Sequence, residues 1–287
     1  MIQHVVPASV RSMPVERYIK RAWPMLPGHA LRGLFKRRDI KINGVRVGQN
    51  DSVHGGDELL LYLPDSMLPG PVPLAFDDGR LVAAVKPQGL PVDVDQDGIG
   101  ADTLLSRLQA QFPSAQLCHR LDAPTGGLVL AALDDVVHEQ ALATFRDHGL
   151  RKTYCALAKG GFNRKEGVLR AWLVKDAKQS LVRVVHSEQR GVKPIETRYR
   201  VVSEKNGIAR VELEPVTGRT HQLRAHVADF GHPLVGDDKY GDRELNKKHP
   251  GGLCLWCAEL ALTNDSPLVD YRGIKITSER PAWWTEF

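Results

Sequence analysis

Residues 118–132 join a polar, glycine-containing segment to an apolar run. They read Cys118-His119-Arg120-Leu121-Asp122-Ala123-Pro124-Thr125-Gly126-Gly127, followed by Leu128-Val129-Leu130-Ala131-Ala132. Because proline and glycine favour tight turns, Asp122 is predicted to lie at a rigid, exposed corner of the chain. The apolar run after it predicts a buried strand. An acidic side chain fixed at such a corner is a candidate for chemistry, although a single aspartate is more often structural.

Strands and helices are predicted on both sides of this corner. The strands after residue 150 follow one another through short turns such as Asn206-Gly207, which favours antiparallel pairing. We therefore predict an α+β fold with a mixed, largely antiparallel sheet flanked by helices. The predicted strands are Leu81–Lys86, Gly127–Ala132, Lys152–Lys159, Glu196–Val202 and Ile208–Glu214, and the predicted helices are Thr103–Gln111, Val136–Arg146 and Thr220–Phe230.

A proline-rich segment predicts the domain organisation. Four prolines fall within residues 63–73, a density that neither a helix nor a central strand tolerates. We predict a small basic module over 1–63, a linker over 64–73 and a larger domain over 74–287.

The small module is predicted to hold two helices and a hairpin. The helices are Val15–Trp23 and Ala30–Arg38, and a further strand spans Glu58–Leu63. Asn43-Gly44 lies between two short alternating runs, which is a strong hairpin signal because both turn residues must adopt positive φ. The alternation predicts that Ile40, Ile42, Val45 and Val47 pack inward and that Lys41 and Arg46 face solvent.

Positive charge is concentrated in two blocks. The 287 residues contain 39 Lys and Arg against 34 acids, a net charge of +5. Residues 11–46 hold ten Lys and Arg against two acids, and residues 151–210 hold fifteen against five. This pattern suggests a polyanionic partner, nucleic acid first, although charge runs are often only solvated faces. The candidate RNA-binding side chains are Arg32, Lys36, Arg37, Arg38, Lys41 and Arg46.

Several classes of protein are disfavoured. No run approaches the 18 apolar residues of a membrane span, and residues 1–10 lack the apolar core of a secretory signal. Four cysteines make no disulfide framework, so we expect reduced thiols and a cytoplasmic protein. Cys254 and Cys257 form a C-x-x-C without a supporting second pair, and no metal site is predicted.

Two further clusters contain candidate functional residues. Residues 218–224 open the helix predicted over Thr220–Phe230, whose apolar stripe is Leu223, Val227 and Phe230. That stripe predicts that Arg219 and Arg224 lie elsewhere on the surface. Residues 151–154 form a basic entry into a strand that carries an aromatic residue.

These three clusters together resemble the RNA pseudouridine synthases, in the RluA-type branch that modifies large-subunit ribosomal RNA and some transfer RNAs. The similarity runs from residues 81–90 to residues 231–241, and 119–122 with 125–128 match the catalytic loop of the family. Residues 31–47 and 55–59 resemble the small RNA-binding domain first described in the fourth protein of the small ribosomal subunit. The sequence departs from the family at Ala123-Pro124, at Gly126 and at residues 253–258, where Leu-His-Ala is usual.

The resemblance implies a function and a set of site residues. It implies that Asp122 is the catalytic carboxylate, with Arg219 as its charged partner. It implies that Tyr154 stacks on an extruded uracil, that Leu223 bounds the other side, and that Arg120 holds the backbone or the vacated space. The implied partner is ribosomal or transfer RNA. No cofactor, metal, membrane or obligate protein partner is expected.

Other functions were weighed against this one. Residues 119–122 and 229–231 resemble the H-R-D and D-F-G motifs of protein kinases. The residue five after Asp122 is nevertheless Gly127 instead of a magnesium-binding asparagine, and no glycine-rich loop precedes Lys86. The serious alternative is a structured-RNA-binding protein, such as a ribosome-assembly factor, that modifies nothing. Such a binder has no chemical need to combine Asp122, Tyr154 and Arg219.

Overall fold

The structure, a computed structural model, describes residues 1–176, 181–249 and 251–287. These residues form two compact units. The first unit contains Met1–Pro73 and Gly89–Ala115, and the second contains Leu74–Gln88 and Gln116–Phe287. No helix in the described part of the chain has the length and apolar character that a bilayer crossing requires.

The first unit packs three helices and two small sheets around one core. Its sheets have the orders β1-β6-β3-β4 and β2-β5, with antiparallel pairing throughout. The core contains Tyr18, Ile19, Leu34, Ile40 and Leu59, all without solvent exposure. The elements are β1 (Ile2–Val5), β2 (Met13–Pro14), α1 (Val15–Ala22), α2 (Gly28–Arg37), β3 (Ile40–Ile42), β4 (Val45–Arg46), β5 (Ser52–Val53), β6 (Glu58–Leu61) and α3 (Leu104–Gln111).

The hairpin of this unit is present, and one of its inward predictions is wrong. Asn43 and Gly44 both have positive φ, as the turn requires. Ile40 and Ile42 are buried, whereas Val45 is 67% exposed. Val45 lies on β4, the edge strand of its sheet. Strand β3 pairs with β6 on one side and β4 on the other, whereas β4 pairs with β3 alone.

Residues 89–115 were assigned to the larger domain and instead belong to the first unit. Arg21 on α1 forms ion pairs of 2.6 Å with Asp95 and with Asp97. Asp102 donates its backbone N–H to Ala22, and Ile99 lies in the core of the unit. The correction arises because these contacts join segments about 75 residues apart in sequence, which local patterns do not register.

The second unit is built on one large sheet. Its strand order is β13-β12-β14-β15-β11-β16-β10-β8-β7, with β17 beside β16 and β9 beside β10. The pairing is antiparallel except between β10 and β16, which confirms the predicted α+β class. The elements are β7 (Leu74–Asp77), β8 (Leu81–Lys86), β9 (Gln116–Leu117), β10 (Gly126–Ala132), α4 (Asp135–Arg146), β11 (Leu150–Lys159), β12 (Glu166–Asp176), β13 (Leu181–Val185), β14 (Lys193–Lys205), β15 (Ile208–Pro215), α5 (Gln222–Asp229), α6 (Arg243–Lys248), β16 (Leu255–Leu262), β17 (Lys275–Thr277) and α7 (Ala282–Thr285).

Burial along these strands follows from their position in the sheet. All residues of β10 are buried, as expected for an apolar strand covered on both faces. In β14 the buried Ile195, Thr197 and Tyr199 alternate with exposed Arg198 and Arg200, the pattern of a strand with one solvated face. The predicted strands are therefore all present, several of them longer than predicted.

A glycine fixes the contact between the two strands that pair in parallel. Gly127 has φ of +104°, and a Cβ there would collide with the backbone of Cys257 on β16. This close approach sets the start of β10, and with it the end of the loop that carries Asp122. The glycines identified in the sequence thus hold the catalytic-loop candidate against the central strands.

Candidate active site

Asp122 lies in the loop between β9 and β10, and its side chain is 25% exposed. Its backbone carbonyl accepts a hydrogen bond of 3.0 Å from the N–H of Thr125, which closes a four-residue turn. Its Oδ2 is 3.5 Å from Nη1 of Arg224 and 3.8 Å from Nε2 of His221. The carboxylate is therefore open to a ligand on one side and faces cationic or polar groups on the other.

Arg224 lies beside Asp122, where the resemblance implied Arg219 as the charged partner. Arg224 is 2% exposed, so the prediction that it lies on the surface is wrong. Arg219 is exposed, and among the described residues its side chain has no hydrogen bond or ion pair. The predicted single apolar stripe does not describe this helix, because its six consecutive residues from Gln222 to Val227 are all buried. Helix α5 begins at Gln222 instead of Thr220, and Phe230 after it is 43% exposed.

The guanidinium of Arg224 is held by a second aspartate that sequence reasoning did not single out. Asp237 accepts from Nε at 2.8 Å and from Nη2 at 2.7 Å, a bidentate pair with both side chains buried. Asp238 accepts from the same Nη2 at 2.8 Å. Two of the three guanidinium nitrogens are thus committed, and Nη1 is directed to Asp122.

Burial and charge act in opposite directions on this pair. Burial by itself would lower the pKa of Arg224, but hydrogen bonding and charge from Asp237, with smaller effects of Asp122 and Asp238, raise it above its ordinary value. Burial would likewise raise the pKa of Asp237, and the bonds from Arg224 hold it below its usual range. Both groups are ionised at neutral pH, so Arg224 presents a fixed positive charge to Asp122.

His221 adds a polar group beside Asp122. It precedes α5 in the left-handed region, with φ of 53°, and its Nδ1 is 2.9 Å from the hydroxyl of Tyr240. Burial lowers the pKa of His221, while the charge of Asp122 raises it in part. The left-handed conformation explains why the helix predicted from Thr220 starts two residues later.

Tyr154 lies on β11 and is buried, with the thiol of Cys257 beside its hydroxyl. Burial raises the pKa of its hydroxyl well above the ordinary value. The electrostatic interaction and the hydrogen bond with Cys257 raise this pKa further, as does the charge of Asp122. Cys257 stands in the segment that departs from the family pattern. Its pKa is raised to about 12 by burial, so the thiol is protonated beside the tyrosine. No sequence signal identified this contact.

The remaining predicted residues divide by burial. Leu223 is buried on α5 next to Arg224, whereas Arg120 is exposed and its side chain has no hydrogen bond or ion pair within the described ranges. Lys86 is fully buried, and desolvation lowers its pKa to about 7 against the opposing effect of Asp122. The structure thus brings Asp122, Tyr154 and Lys86 into one electrostatic neighbourhood.

Over the ranges described, each of the two basic blocks contains both paired and unpaired cations. In the second unit, cross-strand ion pairs neutralise Arg170, Arg198 and Arg200 with Glu196, Glu214 and Glu212. In the first unit, Arg37 pairs with Asp39, and no ion pair is found within the described residues for Arg32, Lys36, Arg38, Lys41 or Arg46. Lys178 of the second block lies outside the described residues.

The candidate metal ligands are the histidine, cysteine and acidic side chains of the described residues. No three histidine, cysteine or acidic side chains in that part of the chain cluster as metal ligands. The thiols of Cys254 and Cys257 are buried, and burial raises both pKa values to about 12.

Comparisons with known proteins identify relatives of this chain. The family model described as RNA pseudouridylate synthase matches residues 80–229. Ribosomal large subunit pseudouridine synthase C of Escherichia coli (strain K12) is 28% identical over 252 residues, covering 82% of this chain and 78% of that protein. Dual-specificity RNA pseudouridine synthase RluA of Yersinia pestis is 33% identical over 190 residues, covering 66% of this chain and 91% of that protein.

Solved structures share the fold. Human RNA pseudouridylate synthase domain containing 1 aligns with a TM-score of 0.63 at 24% identity, covering 75% of this chain and 87% of the other. Human RNA pseudouridylate synthase domain containing 4 aligns with a TM-score of 0.61 at 25% identity, covering 74% and 90%. The strand arrangement described above is therefore one that these proteins also adopt.

Proposed function

Because this chain belongs to the RNA pseudouridylate synthase family, in its RluA-type branch, we propose that it isomerises specific uridines in structured RNA to pseudouridine through Asp122 and a flipped-out base. Ribosomal RNA is the first candidate substrate, since the names of several relatives refer to the large ribosomal subunit. Transfer RNA is the second candidate. A cytoplasmic location and independence from a protein partner stay predictions.

The observation that carries the proposal is the partly exposed carboxylate of Asp122 beside the buried guanidinium of Arg224. The isomerisation breaks the bond from the ribose C1′ to N1 of uracil, rotates the base, and forms a bond from C1′ to C5. The C5 proton is then lost and N1 gains one, so the product is an isomer. The reaction calls for an ionised carboxylate, as nucleophile or as base toward the ribose.

Arg224 supports that role by fixing the position of the carboxylate. Its Nε and Nη2 are held by Asp237, so its Nη1 cannot swing away from Asp122. A group fixed in advance loses little entropy when the substrate arrives, which favours the reactive geometry. We assign Arg224, and not Arg219, as the charged partner of Asp122.

The other residues are proposed to bind the flipped nucleotide. The ring of Tyr154 supplies a stacking surface for uracil, and Leu223 bounds the apolar side of that space. The exposed Arg120 and Arg219 have guanidinium groups free to contact phosphate or to fill the gap in the RNA. In the first unit, Arg32, Lys36, Arg37, Arg38, Lys41 and Arg46 are proposed to contact the RNA backbone.

Asp122→Asn tests the proposal because it keeps the shape of the side chain and removes its charge. We expect RNA affinity and folding to be unchanged and turnover to be lost. The assay is tritium release from ribosomal RNA, and separately from transfer RNA, labelled at C5 of uridine and isolated from cells that lack the protein. Asp147→Asn is the matched control, since Asp147 is an exposed carboxylate of the same unit that pairs with Arg146.

The same assay separates the enzyme from a structured-RNA-binding or ribosome-assembly protein. A protein that only binds would retain RNA and release no tritium in either form. Full release by the Asp122→Asn protein would contradict the assignment of this carboxylate while leaving the family intact.

A further inference from the structure

The turn that carries Asp122 is fastened at both of its central carbonyls. Ala123 and Pro124 are the two residues between Asp122 and Thr125. The ammonium of Lys86 donates to the carbonyl of Ala123 at 3.0 Å. The side-chain amide of Gln88 donates to the carbonyl of Pro124 at 3.1 Å. Both donors come from the end of β8 or the residues directly after it, so one short segment holds the whole turn.

Gln88 has a second set of contacts, directed away from the turn. Its Nε2 also donates to the carbonyl of Leu253, which precedes β16. Its Oε1 accepts a hydrogen bond of 3.4 Å from the indole nitrogen of Trp283 on α7. A neutral amide offers two donors and one acceptor oxygen, and all three are in use. The orientation of the amide is therefore set by three separate segments.

From this geometry we infer that Gln88 is a positioning residue, which holds the Asp122 turn in its reactive place and couples it to Trp283 near the carboxyl end of the chain. The inference rests on the proposed role of Asp122. It concerns a residue that neither the sequence motifs nor the site chemistry had singled out.

The anchors of Gln88 are themselves firmly packed. Trp283 and Phe287 pack on a cluster of buried residues that includes Leu157, Val235 and Cys254. The Gln88 side chain also lies against Gly126, where an added Cβ would collide with both Gln88 and the ring of Trp256. The Gln88 amide therefore lies between this packed core and the turn that carries Asp122.

The chemistry of the amide explains why no similar side chain would serve. Glutamate has nearly the same shape but would place acceptor oxygens against the carbonyls of Pro124 and Leu253 and lose both donors. Methionine would fill the space without any donor. Either change leaves the carbonyl of Pro124 without its side-chain partner, so that of the two central carbonyls only that of Ala123 is still bound, by Lys86.

The test compares Gln88→Glu, Gln88→Met and Trp283→Phe in the full chain. Gln116→Met is the matched control, since Gln116 donates a 2.7 Å hydrogen bond to Asp135 in the same unit without contacting the turn. For each protein we would measure kcat and KM by tritium release, RNA affinity, and hydrogen exchange at the N–H of Thr125. That N–H closes the turn, so its exchange reports on the turn without reference to catalysis.

We expect Gln88→Glu to lower kcat by about 10²-fold, on the scale of a misplaced catalytic group, with RNA affinity and KM unchanged. Gln88→Met should lower it less, and Trp283→Phe least, because that change removes only the acceptor contact. Exchange at Thr125 should accelerate in the same order and stay unchanged in Gln116→Met.

Wild-type kcat together with wild-type Thr125 exchange in Gln88→Met would overturn the inference. If Gln88→Glu fails to fold, Gln88→Met and Trp283→Phe carry the test. Faster exchange at Thr125 with unchanged kcat would also overturn it, because the turn would then be loosened without consequence. Failure of the proposed function is a separate result: Asp122→Asn would remain active, whereas the exchange data would be unaffected.

Discussion

Two regions of the chain use positive charge in opposite ways. On α2 of the first unit and directly after it, Arg32, Lys36 and Arg38 are exposed and have no ion-pair partner among the described residues. In the second unit, Arg224 is buried, and its bonds to Asp237 and Asp238 direct one remaining nitrogen at Asp122. Exposed charges in water are screened and interact weakly with any one group, whereas a buried charge acts strongly on its nearest partner.

Charge counts taken from the sequence therefore describe only the exposed cations, and not a buried cation such as Arg224. A block of ten cations can raise affinity for a polyanion without specifying one contact. A single buried arginine specifies one geometry and is costly to disturb, because its partners have lost their water. The following changes test the contrast in order of decreasing effect.

Arg224→Met should have the largest effect on the protein. It leaves Asp237 buried without its counter-ion, which is expected to cost about 3–5 kcal/mol of unfolding free energy. Turnover should fall by about 10²-fold or more, because Asp122 loses the group that positions it. The measurements are urea unfolding and tritium release. The exposed Arg219→Ala is the control and should change unfolding by less than about 0.5 kcal/mol.

The double change Arg224→Met with Asp237→Leu separates stability from catalysis. Replacing both partners of a buried pair with apolar residues is often neutral, so part of the lost stability should return. The recovery is incomplete because the N–H groups of Lys239 and Tyr240 lose their bonds to Asp237. Turnover should not return. Recovery of both stability and turnover would show that Arg224 serves only the packing of α5. The buried charge would then have no role in catalysis.

His119 should produce the next largest effect, as a dependence of stability on pH. Its Nε2 accepts a 3.0 Å hydrogen bond from the N–H of Leu130, and burial lowers its pKa from 6.5 to about 3. The unfolded chain therefore binds a proton that the folded chain does not between these values. Stability from this group is complete above pH 6.5 and is lost as the pH falls, by about 1.4 kcal/mol per unit.

His119→Gln is the variant that checks this slope. Its amide oxygen can accept from Leu130 and does not titrate, so the variant should lose less stability than the wild type between pH 6.5 and pH 4. Urea unfolding across that range is the measurement. Parallel curves for the two proteins would be inconsistent with a neutral His119 in the folded chain.

The exposed cations should have a smaller, salt-dependent effect confined to binding. Arg32→Gln with Lys36→Gln should weaken RNA binding and reduce the slope of log affinity against log salt by about 0.7–0.9 per lost phosphate contact. Turnover on bound RNA should be unchanged. Lys247→Gln with Lys248→Gln removes the same charge from α6 and is the control. An unchanged slope in the first pair would mean that α2 does not contact phosphate.

Tyr154→Phe should have the smallest effect. It keeps the ring that is proposed to stack on uracil and removes only the hydroxyl next to Cys257. Losing one hydrogen bond of about 1 kcal/mol predicts a loss of turnover of about 5-fold with unchanged RNA binding. Single-turnover tritium release would measure it. A loss of 10³-fold would instead point to proton transfer by the hydroxyl.

Much of the fold and part of the site followed from local sequence. The buried run of β10, the strand over Glu196–Val202 and the hairpin at Asn43-Gly44 were predicted because strand periodicity and turn chemistry depend on neighbouring residues. The position of Asp122 in a tight turn followed in the same way from Pro124, Gly126 and Gly127. The catalytic roles came from resemblance and stay predictions.

Only the tertiary structure decided which groups meet. Arg224 and Asp122 are 102 residues apart in sequence, and Gln88 reaches Leu253 across 165 residues, so no local period reports either contact. Because six consecutive residues of α5 are buried, Arg224 lies inside beside Asp122, whereas Arg219 lies exposed before the helix. The sequence determined the elements because each needs only near neighbours, whereas the pairings depend on how β8, β10, β16 and α5 pack together.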